Sequence, residues 1–192
     1  MTTRMLIAGG VGAIVMFLWM GVAHVATPLA QIGFSKLPNE TAVAQALHTG
    51  TGDRAGLFYV PWEPDVGKDP AASKRLTAAI KANGQALIVY QPSTASPDLT
   101  TGELGMEFVK EVVVCLIAAF LLAQSRLTAF WARAGFVAAI GVIAGLETNG
   151  SYRFFYGFPT DYTVVMILVS VVGYALAGLA IAAVLRRGKV GL

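Results

Sequence analysis

The segment from Thr163 to Leu185 is the feature that most constrains the fold. It runs for about 23 residues without a charged side chain, and Arg186, Arg187 and Lys189 follow closely. Because an α-helix rises about 1.5 Å per residue, this segment is long enough to cross a hydrocarbon core of about 30 Å. The chain is therefore predicted to be an integral membrane protein.

The composition supports the same prediction. Of the 192 residues, 56% are hydrophobic and 13% are charged, whereas soluble domains carry about 25% charged residues. The net charge is +3, but the basic residues are scattered over short loops, so no nucleic-acid-binding surface is predicted. The single cysteine, Cys115, excludes an intrachain disulfide framework and a multi-cysteine zinc site.

Three further apolar segments complete a predicted bundle of four transmembrane helices, a membrane all-α fold. The first lies within residues 1–30 and ends near Pro28. A signal peptide is the alternative there, but the possible cleavage point after Ala23 is poor, so the segment is expected to be retained. The remaining helices are predicted over residues 106–124, 128–146 and 163–185.

Residues 31–105 differ in character, since they are polar, balanced in charge and rich in turn residues. They are predicted to form a small α/β domain inserted between the first two membrane helices. The predicted elements, in chain order, are a helix over 41–49, a strand over 56–62, a helix over 70–83 and a strand over 86–90. The last three are predicted to form a βαβ unit. Two strands make a marginal sheet, so this domain is expected to need a neighbour.

The ends of the predicted helices are marked by residues with capping chemistry. Asn39 and Asp69 are expected to cap the two helices of the inserted domain, with Gly50 and Gly84 at the opposite ends. Residues 91–102 form a Pro/Ser/Thr linker. Thr100, with Glu103 at capping-box spacing, is predicted to start the second membrane helix.

The basic residues near the spans predict the orientation in the membrane. Those assigned to one side of the four-helix arrangement are Arg4, Arg126, Arg133, Arg186, Arg187 and Lys189. No acidic residue is assigned to that side. The positive-inside rule therefore places both termini in the cytoplasm and residues 31–105 in the periplasm of a bacterial inner membrane.

The first span carries a possible metal-binding face. Met16, Met20 and His24 recur every four residues and therefore share one side of a helix. Two thioethers and an imidazole are suitable ligands for Cu(I). The alternative is a methionine-lined packing face with one hydrogen-bonded histidine.

A second candidate site is a polar cluster at the outer leaflet. Ionisable side chains within or beside membrane spans are costly and often functional. Those expected at similar depth are His24, Glu107, Glu111, Glu147, Arg153 and Asp161. Together they are candidates for a proton relay, a metal site or a small-ligand pocket, with His24 and Glu111 as the first pair to test. The alternative is a set of interfacial residues that are paired among themselves or solvated.

Small residues form stripes along the predicted membrane helices, which permits close approach of helices. They are Gly9 and Ala13 in the first, Gly141 and Gly145 in the third, and Ser170, Gly173, Ala177 and Ala180 in the fourth. Packing within one protomer and a seam between protomers are both consistent with these stripes.

Several stretches are similar to those of a family of small bacterial inner-membrane proteins with four membrane helices. They are Trp19 and His24 to Pro28, Leu37 to Glu40, Gly56 to Trp62, and Gly157 to Pro159. The resemblance implies the same topology, but it brings no activity and no cofactor.

These observations predict a non-catalytic membrane protein with the lipid bilayer and other membrane-protein subunits, or a second copy, as partners. In the leading hypothesis it is an accessory or assembly subunit, or a homo-oligomer, that makes protein contacts through its periplasmic domain. The alternative is binding of a small molecule, lipid or metal, with redox or transport activity, around His24 and Glu111. No common catalytic motif is present to define a reaction.

Overall fold

The computed structural model describes residues 2–92 and 100–185. The chain divides into a helical unit, Met1–Phe34 with Leu99–Leu192, and a small unit, Ser35–Asp98. The basic residues Arg186, Arg187 and Lys189 and most of the predicted linker, residues 93–99, lie outside the described residues.

The described residues are mostly helical, with one two-stranded sheet. In chain order the elements are α1 (Thr3–Gly21), α2 (Glu40–Thr51), β1 (Gly56–Val60), α3 (Pro70–Asn83), β2 (Ala86–Tyr90), α4 (Thr101–Gln124), α5 (Phe130–Tyr156) and α6 (Thr160–Leu185). A π-helical turn, Val22–Ala26, and a 3₁₀ turn, Pro28–Gln31, follow α1.

Three helical segments are long and apolar enough to cross a membrane, as expected of a membrane protein. They are Thr3–Ala26, Phe130–Tyr156 and Thr160–Leu185. The helix α4, predicted as a fourth span, is not among them. Its first turns carry Glu103, Glu107, Lys110 and Glu111, which leaves a shorter apolar run.

In the helical unit, α1 packs between α4 and α6, and α5 packs on α6, with each pair antiparallel. Glycines bring these helices close. A Cβ on Gly9 would lie 2.7 Å from Leu116 Cδ2, and one on Gly141 would lie 2.5 Å from Tyr174 Cβ. The indole Nε1 of Trp19 also donates a hydrogen bond to the carbonyl oxygen of Val169, at 2.9 Å. Gly9 and Gly141 therefore serve packing inside this chain.

Arginines complete the last turn of α6. Arg4 Nε donates to the carbonyl oxygen of Val184 at 3.3 Å, and Arg133 Nη1 donates to that of Leu185 at 3.1 Å. The final carbonyls of a helix have no intrahelical partner, so these guanidinium groups act as caps. Two of the residues used above to predict the topology thus also tie α1 and α5 to the end of α6.

The helix α5 is longer than predicted, because the segment expected to be a loop from Glu147 onward is helical to Tyr156. Asn149 is accommodated inside the helix, where its Nδ2 donates to the carbonyl oxygen of Gly145 at 3.1 Å. The helix ends at Gly157, whose φ of 74° is the left-handed conformation that glycine adopts most easily.

Most predicted caps are confirmed. Asn39 and Asp69 accept backbone hydrogen bonds at the starts of α2 and α3, and Thr100 forms the predicted capping box with Glu103. One predicted end is wrong. The helix α2 continues through Gly50 and is closed by Gly52, at φ 62°.

The strands β1 and β2 pair antiparallel, so the predicted βαβ unit with parallel strands is wrong. Val60 at the end of β1 lies opposite Ala86 at the start of β2. Residues 61–85, including α3, therefore leave and re-enter the sheet at the same end. A periodic pattern identifies such a helix, but it does not specify where the chain re-enters the sheet.

A histidine, an aspartate and a tyrosine meet where α2 ends beside β2. Tyr90 Oη donates to Asp53 Oδ1 at 2.8 Å, and His48 Nδ1 lies 3.0 Å from the same oxygen. The hydrogen bond to Asp53 raises the pKa of Tyr90 above its ordinary value of 10.0. This contact links the loop after α2 to the second strand.

The Tyr90 contact is expected to stabilise the small unit in a pH-dependent way. The pKa of Tyr90 is higher in the folded protein than in the unfolded chain. The stabilising contribution of its hydrogen bond is therefore complete below about pH 10, and it is lost as pH rises through the folded-state pKa of Tyr90. The free energy of unfolding of Tyr90→Phe should therefore approach that of the wild type at high pH. The matched control is Tyr59→Phe, because the Tyr59 hydroxyl donates to the uncharged Gln85 at 3.3 Å. A difference that does not shrink with pH would contradict this assignment.

Candidate functional site

A cavity of about 300 Å³, called here the bundle cavity, lies among the four long helices of the helical unit. It receives side chains from α1 with its π-helical turn, α4, α5 and α6. Its chemically distinctive lining residues are Met16, Met20, His24, Lys110, Glu111, Asn149, Ser170 and Tyr174. The rest of the lining is largely apolar, including Val114, Met166 and Val169.

A second cavity of about 550 Å³, called the side cavity, lies between the last turns of α1 with the following π-helical turn and the first turns of α4. It is lined by Phe17, His24, Glu103, Glu107 and Lys110, among others. The two cavities share Met20, His24 and Lys110 in their linings. These side chains therefore border both spaces.

The charged part of the site is formed by three residues within about one turn of α4. Lys110 Nζ lies 2.7 Å from Glu107 Oε1 and 3.1 Å from Glu111 Oε1. The Glu111 side chain is only 4% exposed, whereas that of Lys110 is 52% exposed. A carboxylate buried this deeply needs a charged partner, because desolvation costs several kcal/mol per ion. Lys110 supplies that partner, and it is shared by two carboxylates.

His24 lies in the π-helical turn that follows α1. Its Nδ1 lies 3.0 Å from the carbonyl oxygen of Met20. Because a carbonyl can only accept, Nδ1 donates in this contact. π-helical turns are rare and occur frequently at functional sites. The turn therefore places an imidazole beside both cavities, with its Nε2 not used by this hydrogen bond.

The structure brings together part of the predicted polar cluster. His24 and Glu111 line the bundle cavity, and His24 and Glu107 line the side cavity. Glu147, Arg153 and Asp161 are exposed and line neither cavity. The carboxylate of Asp161 instead accepts from the backbone N–H of Tyr162, at 2.8 Å.

The three residues of the predicted Cu(I) face, Met16, Met20 and His24, all line the bundle cavity. Met16 is buried against α6, since a Cβ on Gly173 would lie 2.6 Å from its sulfur. Among residues 2–92 and 100–185, no group of three His, Cys, Asp or Glu residues could hold a metal ion. The copper site thus stays a prediction that depends on two thioethers and one imidazole.

Several lining residues were not predicted from the sequence. Lys110 could have been identified from the sequence, because it directly precedes Glu111 at the start of an apolar segment, where charged residues are often functional. Asn149 was assigned to a loop, and Ser170 and Tyr174 belong to a helix whose polar residues form no regular stripe. Their shared position depends on how α5 and α6 pack, which no local pattern specifies.

No family model, curated protein or solved structure matches the chain. The resemblance to small bacterial inner-membrane proteins therefore stays a prediction based on the stretches quoted above. The functional proposals below are based on the geometry and chemistry of the two units.

Proposed function

We propose that this protein is a multi-pass protein of a bacterial inner membrane that binds a small molecule in the bundle cavity. In this proposal α4 is the fourth membrane span, and its first turns, with Glu103 and Glu107, project above the membrane. Both termini are cytoplasmic and residues 31–105 form a periplasmic insertion. The arginines at the Arg4 and Arg133 end of the bundle support this orientation.

The observation that carries the proposal is the lining of the bundle cavity. Ligand sites in proteins are typically concave and mostly apolar, with a few convergent polar groups, and have volumes of roughly 300–1,000 Å³. The bundle cavity has this size and brings Glu111, Lys110, His24, Asn149 and Tyr174 to an otherwise largely apolar wall. Binding requires no catalytic step, and we assign none.

Native mass spectrometry of the protein released gently from its own membrane tests the proposal. The wild type is expected to carry an additional bound mass. Val114→Phe, which fills the cavity, should lose that mass, because Val114 lines the cavity. The matched control is Val113→Phe, because Val113 is 51% exposed and does not line the cavity. A wild-type monomer without any bound mass would contradict the proposal.

A second candidate function is that of an accessory or assembly subunit, or of a homo-oligomer. The observation in its favour is the exposed apolar face of the small unit. Leu57 and Val89 lie directly opposite each other in the sheet and are 66% and 73% exposed. Trp62, just after β1, is 74% exposed. Apolar surface of this kind, next to strand edges that have no partner strand within residues 2–92 and 100–185, is typical of an interaction site.

The same mass spectrum distinguishes the two functions. A mass equal to several chains, or to one chain plus a stable protein, would support the subunit function. Leu57→Lys with Val89→Lys should then release the partner, because both substitutions place a charge in the contact. Release by Lys36→Glu, at a side chain that is 82% exposed, would show that the sheet is not the interface.

A further inference from the structure

The buried carboxylate of the bundle cavity has no cationic partner to itself. Glu107 and Glu111 lie four residues apart on α4, and Lys110 is the ammonium group near both carboxylates. Glu111, 4% exposed, therefore shares its ammonium partner with Glu107, which lines the side cavity but not the bundle cavity, and Lys110 is itself 52% exposed. Because a buried carboxylate with a shared, half-exposed partner is only partly compensated, a ligand that brings one positive charge to Glu111 would be favoured.

The uncharged polar groups of the cavity favour the same kind of ligand. Three of them use their own donors on backbone carbonyls: His24 Nδ1 on Met20, Asn149 Nδ2 on Gly145 and Ser170 Oγ on Gly141, at 3.0, 3.1 and 3.3 Å. These contacts leave Asn149 Oδ1 and the lone pairs of Ser170 Oγ as acceptors, together with one amide N–H of Asn149. A ligand that donates hydrogen bonds can use both acceptors.

The apolar part of the lining also suits a cation. Tyr174 contributes an aromatic ring, and the faces of aromatic rings attract ammonium groups. Met16 and Met20 add polarizable sulfurs. The remaining wall, with Val114 and Val169, would hold a short hydrocarbon chain.

We propose that the bundle cavity binds a small primary amine in its protonated form, with its ammonium group at Glu111 and its hydrocarbon part against the apolar wall. This inference rests on the function proposed above and specifies the class of ligand. The same ammonium chemistry is available from a free amine and from an aminoethyl lipid headgroup. Binding of such a headgroup would make the protein a receptor for part of its own membrane.

The test uses the full-length protein at pH 7 in nanodiscs of phosphatidylcholine, a zwitterionic lipid without a primary amine, with pentylammonium, 1-pentanol and pentanoate as probes and with protein-free nanodiscs as the blank. A primary alkylamine is protonated at this pH, as lysine is. The wild type is expected to bind pentylammonium at least tenfold more tightly than the other two probes. Glu111→Gln should lose about tenfold in affinity for the amine. The matched control, Glu147→Gln, should leave the affinity unchanged, since Glu147 lines neither cavity.

The wild-type comparison needs no substitution, so the test stays decisive if Glu111→Gln does not fold. Equal binding of pentylammonium and 1-pentanol, both blocked by Val114→Phe, would overturn the amine inference and leave the proposed binding function intact. If the wild type binds none of the three probes, the amine inference is overturned. The proposed function is tested separately by native mass spectrometry, where the absence of any bound mass would overturn it. If the amine binds, nanodiscs with phosphatidylethanolamine identify the source. Competition by this lipid indicates a headgroup, and unchanged affinity indicates a free amine.

Discussion

Replacing Lys110 by methionine is expected to lower the free energy of unfolding by about 1–3 kcal/mol, less than the cost of breaking a fully buried ion pair, because the Lys110 side chain is 52% exposed. Lys110 Nζ lies 3.1 Å from Glu111, whose side chain is 4% exposed. Methionine preserves much of the length and apolar character of the lysine stem, so the loss reports on the charge. Reversible unfolding of the full-length protein in mixed micelles measures it.

The control for this prediction is Lys36→Met. Lys36 also contacts a glutamate, Glu40, but at 3.8 Å and with a side chain that is 82% exposed. Exposed pairs of this kind contribute at most about 1 kcal/mol. Combining Lys110→Met with Glu111→Gln should restore much of the loss, because no buried charge is then left unpaired. Equal stability of Lys110→Met and the wild type would show that Lys110 does not compensate a charge on Glu111.

Replacing Gly178 by alanine is expected to destabilise the pairing of α5 with α6 by about 1–3 kcal/mol, the usual cost of overpacking. A Cβ at this position would lie 2.8 Å from the carbonyl oxygen of Ala134 and 2.9 Å from Val137 Cβ. Because the first of these atoms belongs to the backbone, no side-chain rotation relieves the clash. The two helices must separate, and the unfolding free energy in micelles should fall accordingly.

Gly135→Ala is the matched control for this substitution. Gly135 lies in α5, beside Ala134, but a Cβ there would have no neighbour within 4 Å. Alanine is a better helix former than glycine by about 1 kcal/mol, so this variant should be as stable as the wild type or more stable. If both alanine variants behaved alike, close approach at Gly178 would not be a feature of the folded protein.

The sequence predicted best those features that depend on neighbouring residues. Asn39, Asp69 and Thr100 start their helices as expected, because a cap needs only its own side chain and the next three residues. Long apolar segments identified three candidate spans for the same reason. Confirmed local features therefore support the helical fold without any comparison to other proteins.

The features that were predicted wrongly depend on residues distant in the sequence, or on competition between two local signals. The strands pair antiparallel because the chain returns to the end of the sheet at Val60 and Ala86, which helical periodicity does not specify. The Asn149-Gly150 pair is typical of turns, yet Asn149 donates to Gly145 within a continuing helix. Gly52 rather than Gly50 ends α2, although either could close a helix.

The candidate site shows the same difference between features set by neighbouring residues and features set by residues distant in the sequence. The spacing of Met16, Met20 and His24 predicted one face of one helix, and these residues do line one cavity. The opposite wall, with Asn149 and Tyr174, is brought there by packing of α5 and α6 against the rest of the bundle. Charge alone did not separate Glu111, which lines the cavity, from Glu147, which does not.

The π-helical turn at Val22–Ala26 has a consequence for how this protein tolerates changes in length. Its backbone hydrogen bonds close over five residues rather than the four of an α-helix. Deletion of one residue there can be absorbed by tightening the turn, which leaves the preceding helix, Thr3–Gly21, in register with its neighbours. The imidazole of His24 would then move around the helix axis. A one-residue deletion at this turn would therefore change the lining of the cavity while the bundle keeps its packing.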